Sequence, residues 1–422
     1  MIVVVGAGAA GLVAAIAARG GAGATVADPP PVTLVERTAD GGRKILISGG
    51  GRCNVLPAAL QPGRFVTDSP RELLQRMLRA WPLAGQMRFF TDTLGIPLAF
   101  EGDSRKYFPA SNRARDVRDG LVAHARRLGV QTRFRCAVRG LVPGADGWTV
   151  ETAEGPIAAR AVVLATGGLS VPATGSDGTG LALAERLGHR IHATYAALTP
   201  LVADPARHAD LSGVSLEVRI RARWRGLAAQ ADGGFLFTHR GYSGPAVLAV
   251  SHVAVRSRAA GERAVVSVRW GALDEREWRD QLTGQPALVA STLARHLPQR
   301  LAAALAADAG VPADRRVSQL TRAERAALIS RLTAFELPWT GDEGYRKAEV
   351  TGGGVALDEV DPRTLESRRS PGLFFCGEIL DAFGPIGGHN FAWAWATGRT
   401  AGLGAGRRGG GAEGLRGGGM ET

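Results

Sequence analysis

Ile2-Val3-Val4-Val5-Gly6-Ala7-Gly8-Ala9-Ala10-Gly11 opens the chain with a β-branched run of strand length, followed at once by a glycine turn. An Ala-rich helix is expected from Leu12 to Ala18. Pro31 then introduces a second strand, Val32-Thr33-Leu34-Val35, which ends in Glu36. Strand, glycine turn, helix, strand and terminal acid make up the dinucleotide-binding βαβ unit. In that reading Gly6 permits the tight turn, Gly8 lets backbone N–H groups approach a pyrophosphate, and Gly11 lets helix and strand pack closely. The helix N-terminus adds partial positive charge for the phosphates, and Glu36 can accept from an adenosine ribose hydroxyl. Glu36 lies further from Gly11 than the usual spacing of roughly 20 residues, because Gly20 through Pro31 reads as an inserted loop. A glycine turn alone could be merely structural; its flanks are what select a nucleotide.

The chain of 422 residues is long enough for two or three domains. Its 45% hydrophobic and 21% charged residues are those of a globular enzyme. The uncharged first eighteen residues lack a basic leader and are broken by three glycines, so the turn reading displaces an export signal or membrane span. The net charge of +12 suggests nucleic acid, yet 48 of the 51 basic residues are Arg and they form no block in the sequence. Nucleic-acid contact is therefore not expected. Cys53, Cys136 and Cys376 stand far apart without a CxxC pair, which argues against a disulfide framework or a zinc site and points to a reducing cytoplasm.

Further along, Gly41-Gly42-Arg43-Lys44-Ile45-Leu46-Ile47-Ser48-Gly49-Gly50-Gly51-Arg52-Cys53-Asn54 combines consecutive glycines with polar flanks, which suits backbone laid against a flat, polar ligand. Helices are expected over Arg71–Trp81 and over Arg113–Leu128, the latter after a Ser111 cap. Strands over 131–138, 147–152 and 156–164 read as a meander running into Ala165-Thr166-Gly167-Gly168. The glycines of 175–180 follow no strand and read as a loop capping a helix over 181–187. From about Leu198 the texture changes. Leu216 to Trp224 alternates apolar and basic residues, and 234–237 and 264–270 also read as strands, together a small barrel or sandwich. Helical spacing then recurs over 275–282, 286–296, 301–307 and 322–332. The α/β texture resumes at Ala348, with a last strand at 372–376, a Gly-rich turn over 384–390 and a closing helix from Phe391.

Together these segments resemble the FAD-dependent family that includes aminoacetone oxidase and the bile-acid enone reductase BaiN. The matching stretches are GAGAAG at 6–11, GGRKILISGGGRCN at 41–54, ATGG at 165–168, THRGYSGPA at 238–246, AEVTGGGV at 348–355 and CGEILDAFGPIGGHNFAWAWATGR at 376–399. The resemblance implies an α/β fold: a discontinuous Rossmann-like FAD-binding domain with a central parallel sheet and a β-meander, interrupted by an inserted β-barrel and a small helical subdomain. The expected bounds are 1–195 and 347–404 for the FAD domain, 196–272 and 336–346 for the barrel, 273–335 for the helical insert, and 405–422 for a disordered tail.

Carried over residue by residue, the resemblance implies that Gly6, Gly8, Ala9, Ala10 and Gly11 meet the pyrophosphate, and Glu36 with Arg37 the adenosine. Lys44, Ser48, Gly49, Gly50, Arg52, Cys53 and Asn54 lie along the flavin and its linker. Val138, Thr166, Gly167, Gly168, Thr351 and Asp381 complete the contact set. Gly377 and Glu378 take the ribityl position, and Gly387, Gly388 and Asn390 open the last helix beside the flavin ring. His389 stands where the family usually has Tyr.

The expected activity is hydride transfer between a small organic substrate and flavin N5. No second GxGxxG follows a strand, so O2 or a transiently docked NAD(P)H would reset the flavin. Catalytic residues are not evident; Tyr242 and Cys53 are weak candidates against plain packing roles, with Ser243 as an alternative helix cap beside Tyr242. His189 and His192 lack a third ligand nearby and do not read as a metal pair. Trp393 and Trp395 read as core rather than a stacking platform. A tRNA-modifying flavoprotein would need clustered basic residues and aromatic platforms, neither visible in the linear sequence. A non-catalytic flavin-binding protein is the third reading.

Overall fold

The computed structural model describes residues 1–21 and 29–409. The expected inserted loop falls mostly on 22–28, outside the described residues. Two compact units emerge: Met1–Thr194 with the chain from Val350 onward, and Tyr195–Glu349.

The first unit is built on a five-stranded parallel sheet. Its order is Leu373–Phe375, Ala161–Leu164, Ile2–Val5, Val32–Glu36 and Gln131–Phe134. The central strands are buried on both faces, which explains why they read as unbroken β-branched runs rather than alternating ones. The first helix is Ala9–Ala18, nine of its ten residues buried.

Against this helix lies His389–Gly409, and the approach is closest at two glycines. A Cβ on Gly398 would stand 2.4 Å from the Ala10 carbonyl oxygen, and one on Gly402 2.2 Å from that of Ala14. The last helix is buried around most of its girth, so Trp393 and Trp395, on different faces, both enter the core. It also runs to Gly409, beyond the expected end. Ala405 is buried and Arg408 pairs with Glu366 at 2.8 Å, so the tail expected to be disordered from 405 is helical through 409. The remainder, 410–422, lies outside the described residues.

Two expected strands divide between sheets. Gln131–Phe134 joins the parallel sheet, whereas Val138–Gly144 starts an antiparallel meander with Gly147–Thr152 and Gly155–Ala159. Arg135, at φ +59, turns the chain between them. Likewise the run expected at 156–164 breaks after Ala159, and Ala161–Leu164 returns to the parallel sheet. Helix Ala114–Arg127 is preceded by Arg113 without a side-chain cap bond; Ser111 Oγ instead accepts from the Arg113 N–H at 3.3 Å.

The second unit is a seven-stranded antiparallel sheet in which Ser215–Trp224 lies between Val265–Trp270 and Leu227–Thr238. Helix Pro245–Ala259 covers one face; Gly244, not Ser243, is its cap residue. Phe235, Phe237, Tyr242 and Trp270 fill the core with ring centroids 4.9–6.0 Å apart. Four helices follow: Glu275–Gln281, Val289–Ala294, Gln299–Asp308 and Arg322–Thr333. The first and last are fixed by capping boxes from Asp274 and Thr321.

Candidate functional site

At the sheet's carboxyl end the three glycines of the opening turn do different work. A Cβ on Gly6 would stand 2.6 Å from the Ala165 carbonyl oxygen, and one on Gly11 1.8 Å from that of Gly6. Both positions are closed by backbone. Gly8 is the exception, with no heavy atom within 4 Å of its notional Cβ, directly before helix Ala9–Ala18. The turn is thus sealed by protein on two sides and open on the third, at a helix N-terminus, where backbone N–H groups and the helix dipole favour an anion.

Glu36 is held rather than free. Its carboxylate accepts from the Ala7 N–H at 2.9 Å, the Thr38 N–H at 2.8 Å and the Thr38 hydroxyl at 2.7 Å. These bonds tie the acid to the turn and leave it one further lone-pair direction. Arg37 pairs with Asp177 at the surface.

The second glycine segment is a short helix, Arg43–Ile47, running into a turn in which Gly49, Gly50 and Gly51 take φ of +56°, +67° and +85°. Only glycine adopts three such conformations in succession without strain. Space beside Gly50 is open within 4 Å. Asn54 Oδ1 next to Gly49 is buried without a hydrogen-bond partner, and an unmet acceptor of this kind marks a place where a donor belongs. Ser48 Oγ donates to the Ile45 carbonyl. Arg52 lies over the Phe108 ring at 3.8 Å and binds Glu101 at 2.7 Å.

Glu378 gathers the remaining segments. Lys44 Nζ donates to it at 2.9 Å, Ser170 Oγ at 2.7 Å, and Thr351 through its N–H at 3.1 Å and its hydroxyl at 2.9 Å. Thr351 Oγ1 in turn accepts from the N–H groups of Leu169 and Ser170, which fixes the loop after Gly167-Gly168. Gly377 takes φ +80° with Ala10 Cβ 2.7 Å from its notional Cβ, and its N–H donates to Thr397 Oγ1. Four distant sequence segments thus meet at one carboxylate.

The last glycine turn is equally constrained. Gly387 and Gly388 take φ of +97° and +95°, and a Cβ on Gly388 would meet the backbone of Leu56 at 2.6 Å. Asn390 clamps the turn by exchanging two hydrogen bonds with the Gly384 backbone, at 2.8 and 3.0 Å. His389 is buried beside Phe65, and burial, reinforced by Arg64, pushes its imidazole down to about 4. Asp381 accepts from Thr67, Asp68 and Ser69 through four bonds of 2.8–2.9 Å, which anchors that loop. Val138 is buried at the start of the meander.

The weak catalytic candidates are both fully buried. Cys53 is fully buried with φ +63°, and burial raises its thiol to about 12. Tyr242 is fully buried in the second unit, its hydroxyl 2.8 Å from His208 Nδ1, and burial raises its phenol well above the usual range. His189 and His192 turn to different partners, Ser367 and Asp381. Ser170 and Thr38 were not among the expected site residues. Ser170 follows the ATGG turn by two positions, a spacing that could have flagged it.

A parallel sheet with a glycine turn at its carboxyl end, and a part-buried carboxylate on which distant segments converge, defines a Rossmann-type α/β domain. The HI0933-like protein Rossmann domain family matches residues 1–404, and the chain belongs to that family of FAD-dependent oxidoreductases. It is 33% identical to a ribosomal RNA dihydrouridine synthase of Escherichia coli (strain K12), over 94% of this chain and 95% of that protein. It is also 31% identical to a 3-dehydro-bile acid delta(4,6)-reductase of Clostridium scindens, over 95% of this chain and 98% of that protein. Among solved structures, the open conformation of a flavocytochrome c3 fumarate reductase aligns at 17% identity and a TM-score of 0.48, covering 97% of this chain and 78% of that one. Among the described residues no helix is long and apolar enough to cross a membrane.

Proposed function

We propose that the chain is a flavin-dependent reductase that adds two hydrogens across a carbon–carbon double bond conjugated to a carbonyl, with NAD(P)H as electron source. One observation carries this reading. Both relatives above are named for products or positions of such a saturation, and each aligns with at least 94% of this chain. Uridine presents that bond as C5=C6 beside its C4 carbonyl. A uridine of ribosomal RNA is the favoured substrate, supported by the likeness to the ribosomal RNA dihydrouridine synthase. A small cyclic enone is the second reading, supported by the likeness to the bile-acid reductase.

In this reading Gly8 would hold the pyrophosphate of FAD, Glu36 its adenosine ribose and Glu378 its ribityl chain, with Ser48–Asn54 and Gly387–Asn390 as the segments that would meet the ring. The bound flavin supplies hydride chemistry at N5. Lys44, Ser170 and Thr351 hold the Glu378 carboxylate in place. The Gly50 backbone and Asn54 Oδ1 offer polar groups to the ring, and the N-terminus of helix His389–Gly409 favours negative charge beside it. Neither Cys53 nor Tyr242 suits the role of proton donor, because both side chains are fully buried and burial raises their pKa, which makes each a weaker acid.

Anaerobic mixing of the purified protein with NADH and NADPH tests the proposal. Expected is bleaching of the flavin absorbance by a pyridine nucleotide, return of colour on adding ribosomal RNA or an enone, and a saturated product by mass spectrometry. Bleaching by small amines instead, with peroxide formed on admitting air, would overturn it in favour of an oxidase.

A further inference from the structure

The alternating run over 216–224 gains a second meaning once its strand is placed. Val218, Ile220 and Ala222 are buried at 4%, 0% and 0% exposure, so Arg219, Arg221 and Arg223 share the opposite, solvent-facing side. The strand is internal to the sheet, so this is a broad face and not an edge. Register brings Arg269 opposite Arg219, making four guanidinium groups on two neighbouring strands. Asp232, opposite Arg219 on the other neighbouring strand, binds it at 2.6 and 3.0 Å; the other acids of the face are Glu217, two positions before Arg219, and Glu336, opposite Ser267 one strand further out. Arg221 and Arg223 differ. Their cross-strand neighbours are Gln230 and Ser267, and Ala228 and Val265, none of them acidic.

We propose that this arginine face binds the phosphate backbone of single-stranded RNA. The proposal rests on the RNA reading of the function given above. Successive arginines on one side of a strand stand about 7 Å apart, so they can engage phosphates in series. Guanidinium groups bind phosphate oxygens through paired N–H donors. A membrane surface fits less well, because Val265, at 50%, is the one large apolar side chain exposed on these three strands. The clustering is invisible in the linear sequence because strand pairing, not adjacency, assembles it.

The test uses the full-length, flavin-loaded protein, labelled oligouridylate and purified ribosomal RNA, with wild type compared against the double variant R221Q/R223Q. Expected is at least tenfold weaker RNA binding, with the slope of log affinity against log salt falling by roughly 0.7 per lost contact, about 1.4 in all. The thermal midpoint and NAD(P)H bleaching should stay unchanged. Unchanged RNA affinity and slope in the variant would overturn the proposal, as would loss of binding to anionic phospholipid vesicles alone. If the variant still converts RNA uridine as wild type does at limiting RNA, the surface fails and the functional reading stands. If RNA binding falls in the variant but wild type forms no dihydrouridine, the surface stands and the functional reading fails. Absence of RNA binding by wild type overturns both.

Discussion

The Lys44 ammonium lies 2.9 Å from the Glu378 carboxylate, although 334 positions separate them in the chain. Both groups are part-buried, and Ser170 bonds to each, at 2.7 Å in both cases. The ion pair fastens the second glycine segment to the end of the parallel sheet, where the flavin linker is proposed to lie.

Lys44→Met therefore removes one charged donor from a carboxylate that keeps its neutral partners. Losing a charged hydrogen bond at a part-buried site costs about 1.5–3 kcal/mol. FAD titration followed by flavin fluorescence should show binding weakened by roughly 10- to 100-fold. Lys44→Arg should restore part of it. Unchanged FAD affinity in the Met variant would mean that the pair is only a surface strap.

Gly8 and Gly11 offer a sharper contrast. Gly8→Ala places its methyl group in open space at an ordinary φ of −76°, so the cofactor-free protein should melt within about 0.5 kcal/mol of wild type. Its FAD affinity should nonetheless fall at least tenfold. Gly11→Ala drives a methyl group to 1.8 Å from the Gly6 carbonyl oxygen and should destabilise the fold itself, by about 3 kcal/mol or more. Urea unfolding with and without FAD separates the two outcomes.

His389 gives the pH prediction. Its folded value, about 4, lies below its ordinary 6.5, so the folded state resists a proton that the unfolded chain accepts. Stability from this group is complete above about 6.5 and is lost as pH falls toward 4, by about 3 kcal/mol in all. His389→Phe, which keeps a ring against Phe65, should flatten that part of the acid limb. Urea midpoints at pH 7 and pH 5 measure it, and an equally steep loss in the variant would exclude this residue.

Thiol reactivity tests the burial of the cysteines. Cys53, Cys136 and Cys376 are all buried, and burial raises the thiols of Cys53 and Cys376. Little thiolate forms near neutral pH, and access is closed. A chromogenic disulfide reagent should titrate no thiol in the native protein and three after denaturation. Cys53→Ser should reduce substrate at the wild-type rate; a large loss would return that sulfur to the chemistry.

Much of this was open to reading from residues alone, for a physical reason. Gly6, Gly8 and Gly11 stand within one local turn, and Val32–Glu36 pairs in parallel with Ile2–Val5, so strand, turn and acid are spelled out in order. The Gly49–Gly51 turn declares itself because three successive left-handed residues are strained for anything but glycine. The split of 131–138 and 156–164 between two sheets was not legible, since a strand's propensity carries no label for its partner. Similarly, the bonds of Asn390 to the Gly384 backbone and of Asp381 to Thr67–Ser69 were not legible, since polar identity does not reveal which protein donor will arrive. Ser170 escaped notice because a serine after a turn is ordinary until a lysine and a glutamate converge on it.

The contact of Gly398 and Gly402 with the backbone of Ala10 and Ala14 also bears on how the molecule is made. During synthesis the opening helix leaves the ribosome long before the segment that must cover it. The intervening unit, Tyr195–Glu349, holds its own hydrophobic core and is complete earlier. Domains generally fold as units while the chain emerges. The middle unit thus has its whole core available earlier in translation, whereas the first unit cannot close until the segment from Val350 onward has been made.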